Sequence, residues 1–237
     1  MTPESTPLLT APANTGDDDA FLLLVDWLSG RGFALYPHQE EAMLEVFSGR
    51  HVVLATPTGS GKSLVALAMH FRALCRGERT VYTAPIKALA NEKFFELCKT
   101  FGAGQVGLLT GDASVNKGAP ILCCTAEILM QMALEGDAAR RPWHVVMDEF
   151  HYYADKERGV AWQVPLLTLP ETTFLLMSAT LGDMSVIKES LAHLSGREVA
   201  EVKSAERPVP LDYAYVETPL HETVADLLGH GKAPVYL

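Results

Sequence analysis

The sequence lacks the features that would place it in several specialised classes. No apolar run approaches the about 18 residues that a membrane-spanning helix needs, so we predict no membrane span. It has only four cysteines, Cys75, Cys98, Cys123 and Cys124, and their spacing matches no metal-binding pattern. Because Cys123 and Cys124 are adjacent within an apolar run, we expect buried thiols rather than disulfides.

An excess of positive charge is absent as well. The formal net charge of −10 is unfavourable for a nucleic-acid binder that relies on Lys and Arg, and alone it favours a metabolic or signalling NTPase. Backbone N–H groups and helix N-termini also bind phosphates, so the charge weakens a nucleic-acid function without excluding it. The first residues lack the basic-then-apolar order of a signal peptide, and we therefore expect an intracellular, cytoplasmic protein.

What the sequence does contain is a strand, a glycine-bearing loop and a helix, in the order that a phosphate-binding site requires. The run Val52–Ala55 predicts a buried strand, and Leu64–Leu74 has a helical pattern. The glycines between them let backbone N–H groups approach an anion. Lys62 can then reach the β- and γ-phosphates, and the Ser63 hydroxyl can hold Mg²⁺. The predicted nucleotide contacts from this loop are Thr58, Gly59, Ser60, Gly61, Lys62 and Ser63.

Two adjacent acids form a second candidate centre. The apolar run His144–Asp148 predicts a strand that ends at these acids, Asp148 and Glu149. Asp148 can hold Mg²⁺ through its water shell, and Glu149 can orient and polarise an attacking water. His151 can connect the nucleotide site to a neighbouring surface by hydrogen bonds. Together with Lys62 these are the candidate catalytic residues, although an Asp-Glu pair without this context would also fit an ordinary loop.

The segment before the phosphate loop contains a candidate base-reading residue. Gln39 lies at the start of a predicted helix whose apolar face includes Ala42, Met43 and Val46. Its amide offers one donor and one acceptor, which complement an adenine edge. An aromatic neighbour, for which we select Phe33, can cover the ring. The alternative is an exposed glutamine at a helix start.

Strand-like and helical runs alternate along the rest of the chain. Such alternation predicts an α/β fold, a doubly wound parallel sheet with helices on both faces. Ligands of these sheets bind at the carboxyl ends of the strands, where most of the candidate residues fall. The predicted strands are Thr80–Ala84, Gln105–Leu109, Ile121–Thr125 and Thr173–Ser178, and the predicted helices are Phe21–Leu28, Lys87–Lys99, Ala126–Leu134 and Met184–Leu194.

In this order, the motifs resemble the first motor domain of a superfamily-two helicase of the superkiller-like (Ski-like, DExH) group. The resemblance covers about Phe33 to Leu237. It implies a RecA-like P-loop NTPase fold, the cofactors ATP and Mg²⁺, and movement along single-stranded RNA or DNA from 3′ to 5′. The motifs that carry it are Gln39, Thr58–Ser63, Asp148–His151, Ser178–Thr180, Asp155–Gly159, Trp162 and Arg207–Leu211.

The resemblance also implies a nucleic-acid surface and a set of coupling residues. Ordinary helix capping is the alternative at each surface position, Arg158 can instead pair with Asp155, and Trp162 can be a core residue. The implied nucleic-acid contacts are Pro85, Lys87, Thr110, Gly111, Asp112, Thr125 and Glu127. The implied coupling residues are Ser178, Thr180 and Arg158.

We expect three parts in the chain: a flexible tail at residues 1–19, the RecA-like domain at 20–230, and the start of a truncated second RecA-like domain at 231–237. In the resembling group the second domain supplies arginines that stabilise the transition state of the γ-phosphate, so we expect this chain alone to be weakly active or inactive. The alternatives are a DNA helicase or translocase subunit of a repair or nuclease complex, and a non-motor ATP-binding regulatory module.

Overall fold

The computed structural model describes residues 8–135, 143–205 and 215–232. The chain divides into two compact units, Met1–Glu206 and Arg207–Leu237. This division falls before the predicted domain boundary at residue 230. The predicted motif Arg207–Leu211 and residues 233–237, assigned to a second domain, lie outside the described residues.

The described strands of the first unit form one sheet. They are β1 His51–Ala55, β2 Thr80–Ala84, β3 Val106–Leu109, β4 Ser114–Val115, β5 Ile121–Thr125, β6 His144–Met147, β7 Thr173–Ser178 and β8 Val199–Lys203. Across these eight described strands the order is β4-β3-β5-β2-β6-β7-β1-β8. Neighbouring strands pair in parallel except β3 and β4, which are antiparallel. The predicted α/β fold with a mostly parallel sheet is therefore confirmed.

Helices connect these strands. In the described residues of the first unit they are α1 Asp17–Ser29, α2 Pro37–Phe47, α3 Lys62–Cys75, α4 Lys87–Phe101, α5 Ala126–Glu135, α6 Gly159–Thr168 and α7 Ser185–Ser195. The described part of the second unit contains α8, Leu220–Gly229. Short 3-10 helices span Ala103–Gln105 and Phe150–Ala154. No helix within the described ranges combines the length and the apolar character that crossing a bilayer requires.

The sheet separates two hydrophobic cores. Successive side chains of a strand point to opposite faces, so Val52 and Leu54 of β1 join one core while Val53 joins the other. Helices α1 to α4 contribute to the first core, and α5 to α7 contribute to the second. Helices therefore cover both faces, as predicted. The thiols of Cys123 and Cys124 are buried and free, as predicted; Cys75 is also buried and free, and Cys98 is free and partly exposed.

The register of the central strands brings their carboxyl ends to one edge. Ala55 pairs with Ser178, and Thr83 pairs with Met147. The loops that leave β1, β2, β6 and β7 therefore begin side by side. This is the edge at which ligands bind in sheets of this type.

The N-terminal boundary differs from the prediction. Residues Asp17–Asp19, which we assigned to the tail, form the first turn of α1. Carboxylates at this position stabilise a helix by interacting with its dipole. Leu9 is buried, and its N–H donates to the Thr100 carbonyl at 2.8 Å. The tail boundary at residue 19 was therefore placed too late, and residues 1–7 lie outside the described residues.

Candidate functional site

The loop between β1 and α3 has the backbone of a phosphate cradle. Gly59 and Gly61 have φ values of 83° and 77°, in the left-handed region that favours glycine. A Cβ added at Gly61 would also lie 2.1 Å from Gln39 Nε2, so conformation and close packing both require glycine there. The hydroxyls of Thr56 and Ser60 are 2.7 Å apart and stabilise the base of the loop.

Gln39 supports this loop from α2. Its Nε2 donates to the carbonyls of Ser60 (2.9 Å) and Gly61 (3.3 Å), and its Oε1 accepts the N–H of Tyr36 (2.9 Å). The side chain is buried, so the alternative of an exposed glutamine is wrong. A bidentate contact with adenine stays a prediction, and it would require the amide to exchange these bonds.

The ammonium of Lys62 is folded back onto the loop. Its Nζ donates to the carbonyls of Thr56 at 2.8 Å and Pro57 at 3.2 Å. Burial lowers the pKa of Lys62, and the carboxylates of Glu149 and Asp148 oppose this shift. The two predicted centres, the phosphate loop and the acid pair, are thus close enough to interact electrostatically.

The acid loop begins directly after β6. Asp148 accepts the N–H of Glu149 on Oδ1 at 3.0 Å and the hydroxyl of Tyr82 on Oδ2. Burial and the Asp148 carboxylate raise the pKa of Tyr82 well above its usual value, so its hydroxyl stays a donor. Glu149 has φ 53° and ψ 44°, a left-handed conformation uncommon for a residue with a side chain. Such outliers concentrate at functional sites.

A hydrogen-bonded path connects the acid loop with the end of β7. His151 Nδ1 lies 3.0 Å from Ser178 Oγ and 3.3 Å from a carboxylate oxygen of Glu149. Ser178 Oγ in turn accepts the N–H of Thr180 at 3.2 Å. The predicted coupling residue Ser178 therefore contacts the acid loop through its side chain, whereas Thr180 joins this path through its backbone.

The donors at this edge fit a nucleotide with Mg²⁺. Within the described residues, no three or more His, Cys, Asp or Glu side chains are grouped so that they could hold a metal ion. Mg²⁺ does not require such a group, because it usually binds one or two protein ligands together with waters and phosphates. Ser63 is exposed at the start of α3, with its Oγ 3.2 Å from Lys93 Nζ, and Asp148 supplies a carboxylate.

The predicted nucleic-acid residues lie at the ends of β2, β3 and β5. Lys87 at the start of α4 forms an ion pair with Asp112 at 3.0 Å, and Thr110 Oγ1 donates to the same carboxylate at 2.9 Å. A Cβ added at Gly111 would lie 3.9 Å from Lys87 Nζ. Lys87 and Asp112, two of the predicted nucleic-acid contacts, therefore form an ion pair with each other. Thr125 is buried at the end of β5.

Arg158 contacts the same surface. Its guanidinium lies 2.7 Å from Glu127 Oε1 and also donates to the Pro85 carbonyl. The alternative that its side chain pairs with Asp155 is wrong, because Asp155 bonds Arg158 through the backbone N–H, at 2.8 Å, while the guanidinium bonds Glu127 and Pro85. Burial would raise the pKa of Glu127, but its bonds, including those from Arg158, outweigh burial and lower it. Trp162 is fully buried, as a core residue would be.

Some predicted residues are placed less centrally. Phe33 lies in the turn between α1 and α2 with 49% of its surface exposed, and its N–H donates to the Leu28 carbonyl at 3.1 Å. Ser60 is buried and its hydroxyl bonds that of Thr56 at 2.7 Å, so its side chain serves the loop. Thr58 is exposed beside Gly59 at the tip of the loop.

Three site residues were missed from the sequence. His38 Nε2 lies 3.0 Å from the Ser60 carbonyl, Tyr82 donates to Asp148, and Lys93 donates to Ser63. Tyr82 had a usable signal, because it lies near the end of a predicted strand, where ligand-side residues gather. His38 and Lys93 lie on helices and gave no comparable signal.

Comparisons with known proteins identify the family of the chain. The model of the DEAD/DEAH box helicase family matches residues 36–188. The chain is 36% identical over 185 residues to the antiviral helicase SKI2 of Saccharomyces cerevisiae, which covers 76% of the chain and 14% of that protein. It is 37% identical over 182 residues to the probable helicase HelY of Mycobacterium tuberculosis, which covers 76% of the chain and 20% of that protein.

A solved structure adds evidence on the fold. The DUF1998 helicase MrfA bound to DNA and AMPPNP superimposes with a TM-score of 0.65 at 20% identity, over 94% of this chain and 35% of that one. The chain spans a fifth or less of the length of the two curated relatives named above. The predicted resemblance to the superkiller-like group is confirmed by these relatives. The chain belongs to the DEAD/DEAH box helicase family.

Proposed function

We propose that this chain is the ATP-binding motor domain of an ATP-dependent helicase. The protein that contains it hydrolyses Mg-ATP and moves along single-stranded RNA from 3′ to 5′. One observation carries the proposal: the phosphate loop and the acid pair meet at one edge of the sheet, and His151 joins them to Ser178. The same edge presents the predicted nucleic-acid residues.

Each side chain of this edge has a chemical role in the proposal. The loop N–H groups and Lys62 bind the phosphates, and release of Lys62 from the Thr56 and Pro57 carbonyls frees its charge for them. Glu149 orients the attacking water and accepts its proton. Ser63 and Asp148 would hold Mg²⁺, which supplies positive charge to the phosphates when it is bound.

RNA is the proposed substrate because of the names of the relatives. They include the DExH-box ATP-dependent RNA helicase DExH15 of Arabidopsis thaliana and the ATP-dependent RNA helicase mtr4 of Schizosaccharomyces pombe, each 36% identical to this chain. The match to a DNA-bound structure supports the fold alone, since its identity is 20%. We propose an intracellular protein in which a second RecA-like domain of the same chain completes the nucleotide site.

The test is steady-state ATP hydrolysis by the protein that contains this chain, without nucleic acid and with single-stranded RNA or DNA. We expect RNA to increase turnover, and Glu149→Gln to reduce it by about 10²–10⁴-fold, because a general base contributes this much. Glu157→Gln is the matched control, since Glu157 is an exposed acid of the next turn. The isolated 237-residue chain should show little turnover.

Three outcomes would contradict the proposal. Hydrolysis that neither nucleic acid changes would indicate a non-motor ATP-binding module. Stimulation by DNA alone would indicate a DNA translocase subunit. Turnover in Glu149→Gln equal to that of the wild type would show that another residue activates the water.

A further inference from the structure

A cavity of about 300 Å³ lies between helices α3 and α4, outside the phosphate loop and the acid loop. We call it the α3–α4 cavity. Its apolar walls are Leu64, Ala66, Leu67 and Leu97. A protein cavity of about 150 Å³ with such walls accepts benzene, so this one has room for a molecule of two fused rings. The shape and the walls of the cavity therefore suit a small aromatic ligand.

His70 supplies a buried polar group to this cavity. Its ring is fully buried, its Nδ1 lies 3.0 Å from Thr80 Oγ1, and its Nε2 has no hydrogen-bond partner among the described residues. Burial, and then the charge of His144, lower the pKa of His70 to about 3, so the ring is neutral. Buried polar groups in proteins are nearly always paired. The free Nε2 therefore indicates a ligand with a polar atom at the floor of the cavity.

The rim of the cavity is positively charged. Lys93 and Lys99 supply two positive charges there, against the single carboxylate of Glu96. Glu96 lies 2.6 Å from Lys93 Nζ, whereas Lys99 is exposed and forms no ion pair within the ranges that the structure describes. An anionic group at the rim can therefore bind Lys99 without displacing Glu96.

Two residues of the cavity contact the side chains that would hold Mg²⁺. Tyr82 lines the cavity, and its hydroxyl donates to Asp148. Lys93 donates to Ser63 Oγ at 3.2 Å, and Ser63 itself lines the cavity. A positive charge so close to Ser63 opposes the binding of Mg²⁺ there, because like charges repel. An anion at the rim would offset part of this charge.

We propose that the α3–α4 cavity binds a small hydroxyaryl carboxylate, an aromatic acid with a hydroxyl group at the end opposite its carboxylate. The rings lie against the apolar walls, the hydroxyl pairs with His70 Nε2, and the carboxylate binds Lys99. A hydroxyl is both donor and acceptor, so it can pair with either tautomer of His70. This site does not depend on the proposed function.

The bound carboxylate also has an effect on the nucleotide site, and this part of the inference rests on the proposed function. By offsetting the charge of Lys93, it makes Ser63 a better ligand for Mg²⁺. The ligand of the cavity therefore strengthens the binding of Mg-nucleotide. Because binding linkage is reciprocal, Mg-nucleotide strengthens the binding of this ligand by the same factor.

The first test measures binding to the cavity by isothermal titration calorimetry, without nucleotide, in the protein that contains this chain. The probe is 6-hydroxy-2-naphthoate, for which we expect a dissociation constant of about 1 mM or tighter. We expect 2-naphthoate, which lacks the hydroxyl, to bind about 3–10-fold more weakly. The neutral 6-hydroxy-2-naphthamide should bind about twofold to fivefold more weakly at low salt.

Variants assign these differences to residues. In His70→Phe the two carboxylates should bind equally, because the partner of the hydroxyl is gone. In Lys99→Gln the acid and its amide should bind equally. Both results are ratios between two probes on one protein, so a general loss of structure does not imitate them. Lys117→Gln, at an exposed lysine outside the cavity, is the matched control and should keep both wild-type ratios.

The second test measures the effect on nucleotide. The dissociation constant of a fluorescent, non-hydrolysable ATP analogue is determined with and without excess 6-hydroxy-2-naphthoate. With Mg²⁺ present, we expect the probe to lower this constant by about twofold to fivefold. With EDTA in place of Mg²⁺, or in Lys93→Gln, the probe should have no effect, because either the metal or the opposing charge is absent.

The outcomes separate the site from the proposed function. No binding of any probe, or wild-type ratios in both His70→Phe and Lys99→Gln, would overturn the site. Loss of the acid-to-amide ratio in Lys117→Gln would overturn it too, since the carboxylate would then respond to net charge alone. Probe binding that leaves Mg-nucleotide affinity unchanged would overturn the effect on nucleotide and leave the proposed function intact. A protein that binds the probe but no nucleotide would overturn the proposed function and leave the site.

Discussion

The two edges of the sheet differ in the solvent exposure of their polar side chains. We call the amino ends of the strands the amino edge and their carboxyl ends the carboxyl edge. At the amino edge, Arg72 has only 8% of its side chain exposed and forms two hydrogen bonds of 2.9 Å with Asp17. At the carboxyl edge, Lys87 and Asp112 are paired while 54% and 68% exposed. Breaking a buried ion pair is strongly destabilising, whereas breaking an exposed one costs little. The ion pair at the amino edge therefore stabilises the fold, and the one at the carboxyl edge can be replaced by contacts with a ligand.

Histidines show the same difference. At the amino edge, His51 Nδ1 accepts the N–H of Phe174 at 3.1 Å, and its Nε2 lies 2.9 Å from Ser195 Oγ. The ring is therefore neutral and fully bonded. At the carboxyl edge, His151 has 41% of its side chain exposed and lies between Glu149 and Ser178. A partner can therefore approach His151, whereas His51 is closed to solvent.

The largest expected effect is on stability, from Asp17→Ala. The variant leaves the buried Arg72 without the carboxylate that it binds twice, which should cost about 3 kcal/mol of unfolding free energy. The melting temperature of the chain, followed by circular dichroism, should fall by about 6–12 °C.

The matched control is Asp18→Ala, in the same helix turn but exposed. It should lower the melting temperature by a few degrees at most. Equal losses in the two variants would show that the Asp17 carboxylate acts through the helix N-terminus rather than through Arg72.

A smaller effect follows from the neutral state of His51. Burial, and then the charge of Arg197, lower its pKa from 6.5 to about 4. The unfolded chain therefore binds more protons below pH 6.5, and His51 loses stabilising free energy as the pH falls through that value towards 4. Between pH 7 and pH 5 we expect a loss of about 2 kcal/mol from this residue.

Urea unfolding at pH 7, 6 and 5 measures this loss. The difference in unfolding free energy between the wild type and His51→Gln should shrink by that amount from pH 7 to pH 5. His193→Gln, which removes an exposed imidazole from α7, is the matched control. A difference for His51→Gln that stays constant with pH would contradict a neutral, bonded ring.

The smallest expected effect is at the carboxyl edge, in Asp112→Asn. Removing this charge releases Lys87 from its ion pair, so the affinity of the containing protein for single-stranded RNA should rise by about twofold to fivefold at low salt. Glu189→Gln, which removes an exposed acid from α7, is the control and should have no such effect. A fall in affinity would instead support direct contact of Asp112 with nucleic acid.

The central strands could be predicted because they are buried on both faces and read as apolar runs. β8 was missed because Val199–Lys203 places Glu201 between apolar residues at the edge of the sheet, where one side is only partly covered. Helix α8 was missed although Leu220, Val224 and Leu227 recur at helical spacing and Glu222 lies in its first turn. For β1, β2, β5 and β7 the predicted ends lie within one residue of those observed.

The sequence predicted which residues belong to the site, but it did not predict which residues their side chains bind. Lys62, Asp148 and Glu149 follow strands, and their chemistry is evident from their order along the chain. The contact between Arg158 and Pro85 joins residues far apart in sequence, and Asp155 was an equally suitable local partner. Only the packing of β2 beside β6 decides between them.

The buried amide of Gln39 has a consequence for how ligands are received. Because it bonds the Ser60 and Gly61 carbonyls, the amide holds the loop in one conformation. A ligand that enters such a loop loses less affinity to the entropy of ordering it. If the proposed function holds, a substitution that loosens helix α2 should therefore weaken nucleotide binding without changing any of the residues proposed to contact the phosphates.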